Sequence, residues 1–402
     1  MYGKINAKNV LGTYAWVIIF YVYFVFSMSP WFVWSTAGKI IYYLLSMSIF
    51  SLSILWFIEK RVVFKNDFLV FFLLTLLVVW TFIPIRDNDA FKITLILQLS
   101  TICILLQSDN VRNKVIDLFY TSYSKMNVLF VFLWFVYFVG VPFPDIVIDN
   151  GDRDNGNFYY QLYYGVVYLN SQVINVGSLV FFRNHGFFEE PGHLGVFNLL
   201  FLSVYRKKSR DSLYKVCIFS TIITFSIPAL IGVFILLFSN KGVNLKFKML
   251  LFLVIAVLMI GSYDKLITIY DSTIGYKLDR GSNIQEILDS RTRDLNYLPK
   301  PDMYNTIFGF GREVFVNNEV VVGDYRSILY KYGVIYYVLL IVILFFIGCR
   351  FGFNSYYFYF ITVSIIIVMQ RSWFLDTSAY IFFLCFFYLE AKKAYVELEN
   401  EV

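Results

Sequence analysis

Residues 206 to 248 read RKKSRDSLYKVCIFSTIITFSIPALIGVFILLFSNKGVNLKFK, an apolar stretch from 213 to 239 held between two basic tracts. Arg206, Lys207, Lys208 and Arg210 form the first tract, and Lys241, Lys246 and Lys248 form the second. Cationic loops are retained in the cytoplasm when a chain is threaded into a membrane. Both tracts therefore belong on the cytoplasmic side, and the chain between them crosses an even number of times. The stretch is too long for one straight span and carries Pro228, which removes a backbone donor and favours a break where protein lines a cavity. This predicts two short helices broken near Pro228, with Thr224 and Ser226 facing a polar cavity; a single kinked span is the rival reading.

The rest of the chain has the same character. Of 402 residues, 59% are hydrophobic, 21% aromatic and 15% charged, against roughly 25% charged in a soluble domain. Other apolar stretches of spanning length lie at about 11 to 28, 40 to 58, 68 to 85, 91 to 107, 126 to 143, 249 to 262, 328 to 348, 353 to 369 and 373 to 389, with a shorter one at 193 to 205. Such runs leave a water-soluble protein nowhere to bury them. The formal net charge of +6 comes from Lys and Arg clustered between the runs, so nucleic acid need not be invoked. Cys103, Cys217, Cys349 and Cys385 lie inside or at the ends of apolar runs, with neither a disulfide framework nor zinc-ligand spacing. Lys4 and Lys8 precede the first run, which is longer than a signal-peptide core and is expected to be an uncleaved span.

The expected fold is an all-α membrane protein, a single integral domain over 1–402 with about 12 transmembrane helices and both termini in the cytoplasm. Short outer segments then hold only Lys39, Arg86, Lys92 and Arg371. Two long loops, 144–192 and 263–326, fall outside the cell. The first carries Asp145, Asp149, Asp152, Arg153 and Asp154, then an aromatic stretch from Phe158 to Tyr168. Asn170, Ser171, Gln172 and Asn175 argue against a further span there, and a partly membrane-dipping loop is expected. No internal repeat of the transporter kind is visible.

The sharpest local feature is Arg183-Asn-His-Gly-Phe-Phe-Glu-Glu-Pro-Gly-His193, leading into the apolar run from Leu194. Pro191 suits the first turn of a helix and holds the residue before it extended, which puts Glu190 at the N-cap. One reading is architectural: Glu190 caps, Gly186 and Gly192 turn, and Arg183 pairs with Glu189. The other is chemical. Arg183 and the helix start bind an anion, a diphosphate suiting the guanidinium fork best, while Glu190 or one of the two histidines, His185 and His193, handles a proton.

Arg183, Gly186, Phe188, Glu190, Pro191, Gly192 and Gly195 resemble the Arg-x-x-Gly-x-Phe-x-Glu-Pro-Gly-x-x-Gly signature of the bacterial O-antigen and capsular polysaccharide polymerases, polytopic membrane glycosyltransferases related to the O-antigen ligases. The two outer loops and the terminal pair of spans fit the same layout. The resemblance implies the fold of the lipid-dependent membrane glycosyltransferases. It also implies a polymerase that transfers the growing glycan from undecaprenyl diphosphate to the next lipid-linked oligosaccharide repeat on the outer face of the bacterial cytoplasmic (inner) membrane. A membrane lipid carrier and a chain-length regulator protein are the partners it implies. No cofactor and no metal are required, since arginines can supply the charge.

The second loop carries Asp271, Lys277, Asp279, Arg280, Asp289, Arg291, Arg293 and Asp294. A run of mixed charge is ordinarily a solvated loop. The family places an Arg-containing motif here, and a leaving diphosphate needs cationic groups from more than one donor. Arg291 is accordingly expected to be catalytic beside Arg183 and Glu190. Arg293, Asp294, His185, His193, Arg312, Asp324 and Tyr325 are the expected substrate-binding residues. Gly309-Phe-Gly311-Arg312 and Gly323-Asp324-Tyr325 resemble the family's glycine turn and the polar pair at the next helix start. The ligases tend to carry a histidine there; Asp324 in its place counts against that rival. A lipid-linked oligosaccharide flippase would line its spans with charge, and an assembly protein without catalysis would be indifferent to loss of the arginines. Reporter fusions after residues 150 and 290 should both report the outer side, and a cytoplasmic signal at either overturns this topology.

Overall fold

The computed structural model describes residues 7–28, 36–60, 65–82, 88–139, 147–148, 160–163, 166–169, 173–176, 179–188, 190–239, 300–311 and 325–399. Twelve α-helices lie among them: α1 (Ala7–Met28), α2 (Thr36–Lys60), α3 (Lys65–Trp80), α4 (Asn88–Ile102), α5 (Asp109–Phe138), α6 (Pro191–Val204), α7 (Ser212–Ile222), α8 (Ile227–Ser239), α9 (Met303–Phe308), α10 (Tyr325–Phe351), α11 (Ser355–Arg371) and α12 (Ser378–Glu399). Each apolar run expected outside 249 to 262 coincides with one of these helices, and 249 to 262 lies outside the described residues. By length and composition, Ala37–Leu55 and Tyr325–Phe351 are long and apolar enough to cross a membrane. The chain divides into two compact units, one of Met1–Tyr120, Thr292–Tyr357 and Ile367–Val402, the other of Thr121–Arg291 and Phe358–Ile366.

The first unit has an aromatic core closed by polar ties between helices. Phe382 and Phe386 of α12 meet Phe24 of α1 at ring-centroid distances of 4.2 and 5.6 Å, and Phe119 of α5 lies 4.8 Å from Phe382. Ser100 donates to the Ser46 carbonyl (2.7 Å), linking α4 to α2, and Tyr23 of α1 shares a 3.1 Å hydrogen bond with Thr101 of α4. At one end the buried Asp67 carboxylate gathers three donors: Arg112 Nη1 at 2.7 Å, Tyr388 Oη at 2.6 Å and Lys392 Nζ at 2.9 Å. These residues tie α3, α5 and α12 through a single carboxylate.

Helix α10 is broken at Gly333, whose φ of 70° and ψ of −176° are far from helical. The carbonyls set loose by the break are taken by outside donors. Phe310 N donates to Tyr330 O (2.7 Å), Gly311 N to Lys331 O (3.0 Å) and Trp80 Nε1 to Tyr332 O (2.8 Å). A Cβ on Gly333 would collide with the Ile307 carbonyl, and one on Gly309 with the Lys331 carbonyl. The glycine turn of the second loop is thus the partner of a helix break.

In the second unit α6, α7 and α8 pack against one another. Asp211 caps α7 by accepting from Leu213 N at 3.0 Å. The chain then breaks over Ile223 to Ser226, and Pro228 is the second residue of α8 rather than the break itself. At 1.5 Å per residue the two arms reach about 16 and 20 Å. Each falls short of the roughly 20 residues that cross a bilayer core. Buried Tyr123 and Asn127 of α5 join Asn198 of α6 in one network: Tyr123 donates to Asn198 Oδ1, and Asn198 Nδ2 to Asn127 Oδ1 at 3.1 Å. Beyond α6, Arg206 folds inward with its guanidinium 5.7 Å from the Tyr359 ring, and burial draws its pKa below the ordinary guanidinium value.

The first loop, expected to dip partly into the membrane, carries short hairpins. Residues 147–182 contain five short strands: β1 (Val147–Ile148), β2 (Tyr160–Tyr163), β3 (Val166–Leu169), β4 (Val173–Val176) and β5 (Leu179–Phe182). They pair antiparallel as β1-β2-β3 and β4-β5. The registers Tyr163↔Val166 and Val176↔Leu179 leave two residues in each connection, the loop length hairpins favour most. Among the described residues the fold is overwhelmingly helical, with β structure confined to this segment.

Removing one member of a buried ionic cluster strands its partners. Asp67→Leu should lower the stability of the detergent-solubilised protein by about 3–5 kcal/mol. Asp67→Leu with Arg112→Leu should recover part of that loss in the same thermal-unfolding assay.

Candidate functional site

The motif from Arg183 to Gly195 runs from the end of β5 into α6. Glu190 occupies the N-cap with extended backbone (φ −133°, ψ 148°), Pro191 stands in the first turn, and the Glu190 carbonyl accepts from His193 N at 2.9 Å. The Glu190 side chain makes no capping hydrogen bond. Its carboxylate instead sits 3.8 Å from His193 Nε2, one helical turn on, with side-chain exposures of 37% for Glu190 and 12% for His193. A partly exposed carboxylate beside an imidazole can accept and relay a proton, which a carboxylate saturated by helix N–H groups does poorly.

Arg183 does something the sequence did not signal. Its Nε donates to the Thr224 carbonyl at 2.9 Å and its Nη2 to the Phe225 carbonyl at 3.1 Å. Asn184, fully buried, continues the grip: its backbone N–H donates to Ile223 O (3.0 Å) and its side-chain amide to Ser220 Oγ (3.1 Å). Three successive carbonyls at the break between α7 and α8 are thereby answered by two adjacent residues. The pairing of Arg183 with Glu189 expected on the architectural reading involves a residue outside those described, Glu189.

The glycines of the motif serve close approach. Gly186 has a φ of +58°, where a Cβ would also press on the Phe130 ring at 2.8 Å. A Cβ on Gly195 would lie 2.7 Å from the Ala229 methyl and 3.3 Å from Thr224 Oγ1. One turn further, Gly232 of α8 leaves room for Leu199 of α6. Small residues at this spacing let two helix backbones approach where no water drives them together.

Of the other expected site residues, His185 is completely buried, and its carbonyl accepts from Phe188 N at 2.9 Å. Tyr325 is the first residue of α10 and 41% exposed, its carbonyl accepting from Tyr337 Oη at 2.8 Å. Arg291, Arg293, Asp294, Arg312 and Asp324 lie outside the described residues. Among the described residues no cluster of His, Cys, Asp and Glu could hold a metal ion. The residues that sequence reading missed are Asn184 and the turn of Thr224 and Phe225 that it and Arg183 hold.

Compared with known proteins, the chain matches no family model, no curated protein and no solved structure.

The contact of Gly195 with Ala229 is testable by exchange. Gly195→Ala should destabilise by about 1–3 kcal/mol through overpacking, and Gly195→Ala with Ala229→Gly should restore most of the loss. Equal stability of the single variant and the parent protein would place α6 and α8 further apart than this.

Proposed function

We propose that the protein is a polysaccharide polymerase of the cytoplasmic membrane, working on undecaprenyl-diphosphate-linked oligosaccharide repeats at the outer face. The observation that carries this reading is the state of Glu190. The motif resembling the polymerase signature uses Arg183, Gly186 and Gly195 for packing and turn-holding, yet leaves the Glu190 carboxylate uncapped, partly exposed and next to His193. Supporting the membrane setting, many large apolar side chains on the helices face outward, among them Phe132 (60%), Phe234 (61%), Ile341 (63%) and Phe345 (59%). Patches of that extent suit lipid rather than water.

On this reading a sugar hydroxyl of the incoming lipid-linked repeat attacks the anomeric carbon of the growing chain. The bond from that carbon to the diphosphate oxygen breaks as the new glycosidic bond forms, and Glu190 takes the hydroxyl proton. Arg291 and Arg293 neutralise the departing diphosphate, with Asp294, Arg312, Asp324 and Tyr325 ordering the sugars. No nucleotide is needed outside the cell. The topology this asks for has the loops 144–192 and 263–326 outside. The short arms of α7 and α8 fit a hairpin that enters and leaves from the cytoplasmic side, which keeps the even parity demanded by the basic tracts.

Glu190→Gln keeps the side-chain shape and removes the proton acceptor, so it should cut chain elongation by about 10² to 10⁴. Arg291→Lys keeps the charge and loses the fork, and should cost about 10² to 10³. Cells carrying either variant at normal abundance should accumulate single lipid-linked repeats in place of long chains. Normal chain length in both would remove the polymerase assignment.

A further inference from the structure

A guanidinium carries five N–H donors in a planar fork, and the fork of Arg183 is turned toward backbone. Its two bonds reach consecutive carbonyls, those of Thr224 and Phe225, while Asn184 N takes the carbonyl just before them, that of Ile223. The turn so held is unusual in itself. Phe225 has a φ of 48° without being glycine, a conformation that costs about 1–2 kcal/mol and persists where its surroundings impose it. Within the turn Thr224 Oγ1 donates to Thr221 O at 2.7 Å and accepts from Ser226 N at 3.3 Å. Thr224 and Ser226 are buried at 0% and 5% exposure.

Helix α6 rests on the same turn. Gly195, five residues after Glu190, brings the α6 backbone against Thr224, Ser226 and Ala229. The height and tilt of the helix whose first residue follows Glu190 therefore depend on where this turn sits. The turn in turn sits where Arg183 and Asn184 put it.

We infer that Arg183 is a positioning residue that clamps the turn between α7 and α8 beneath the helix carrying Glu190, with Asn184 as its second jaw, and that it does not itself bind the departing diphosphate. The role in chain elongation rests on the polymerase reading; the clamp itself does not. Electrostatically the arrangement is favourable on its own terms, because a cation at the carbonyl end of a helix meets the negative end of the dipole of α7. Lysine in place of Arg183 offers a compact ammonium where the fork met two carbonyls. It therefore loosens the turn without abolishing the clamp, whereas alanine abolishes it.

The test places a reporter in the turn and follows the reaction separately. Ser226→Cys is made with Cys349→Ser, since Cys349 is the exposed cysteine and Cys103, Cys217 and Cys385 are buried. Labelling of position 226 by a small maleimide is timed in membranes. Arg183→Ala and Asn184→Ala should each speed labelling at least about tenfold, the factor that corresponds to roughly 1.4 kcal/mol of lost restraint. Arg183→Lys should fall between parent and alanine, and Glu190→Gln should leave the rate alone. If Arg183→Ala is not inserted into the membrane, the lysine and Asn184 variants carry the test. In proteoliposomes supplied with a lipid-linked repeat, Arg183→Lys should lower kcat while KM stays within about threefold, because no ground-state contact with substrate is removed. Unchanged labelling in the Arg183 and Asn184 variants overturns the clamp. A large rise in KM for Arg183→Lys, with labelling as in the parent, returns Arg183 to the substrate. Faster labelling with normal glycan growth even in Glu190→Gln keeps the clamp and overturns the polymerase reading instead.

Discussion

A helix that stops inside apolar surroundings leaves carbonyls with no partner of their own, and in hydrocarbon no water replaces them. The second unit is organised by the answer to that constraint. The carbonyls of Ile223, Thr224 and Phe225 receive Asn184 N, Arg183 Nε and Arg183 Nη2 in order along the chain. Once these bonds are made, the rest follows by geometry. The strand end bearing Arg183 must come close to the turn, which brings the start of α6 against α8. That approach demands Gly195 and Ala229 on facing surfaces and a gap at Gly232 for Leu199. Each residue choice solves a problem created by the previous one.

The first unit meets the same constraint by different means. At Gly333 the helix breaks with glycine supplying the positive φ directly, and the carbonyls of Tyr330, Lys331 and Tyr332 are met by two backbone N–H groups and an indole. Backbone donors cannot be edited singly, so that break is rigid and replaceable only together with its glycines. The break at Phe225 relies on the long side chain of Arg183 together with Asn184 and tolerates a strained phenylalanine. It is therefore the weaker and more adjustable of the two.

Much of this was legible. Apolar length located the described helices other than the short α9, and the basic tracts around 213 to 239 demanded an even number of crossings, which is why two helices were expected there. The break itself was placed late. Pro228 is the conspicuous residue, but a proline fits a first helical turn, and the helix ends six residues earlier in the β-branched run Thr221-Ile-Ile-Thr224, which contains no glycine, proline or asparagine to mark it. The hairpins of the first loop left a fainter trace. Gly177-Ser178 is a two-residue pair that hairpins use, but the strands around it are short, and the polar residues from Asn170 to Asn175 read as a loop. At the site, Arg183 and Glu190 stood out because their residue types carry chemistry. The partners of Arg183 are backbone carbonyls, and a carbonyl has no sequence signature.

The proposed polymerase and a transporter of the lipid-linked substrate ask for different distributions of charge. Moving a diphosphate through a protein requires cations along the path, deep between the helices. Two buried ionic residues of the first unit lie near helix ends: Asp67 is the third residue of α3 and Arg112 the fourth of α5, and they pair with each other at 2.7 Å. Glu390 is buried midway along α12, while other buried polar groups along the helices are uncharged and bonded to one another, as Ser100 is to Ser46 and Tyr123 and Asn127 are to Asn198. Such pairs hold helices together and offer a diphosphate little. On the polymerase proposal the diphosphate is met by the loop arginines and stays at the headgroup level while the glycan is passed from one carrier to the next.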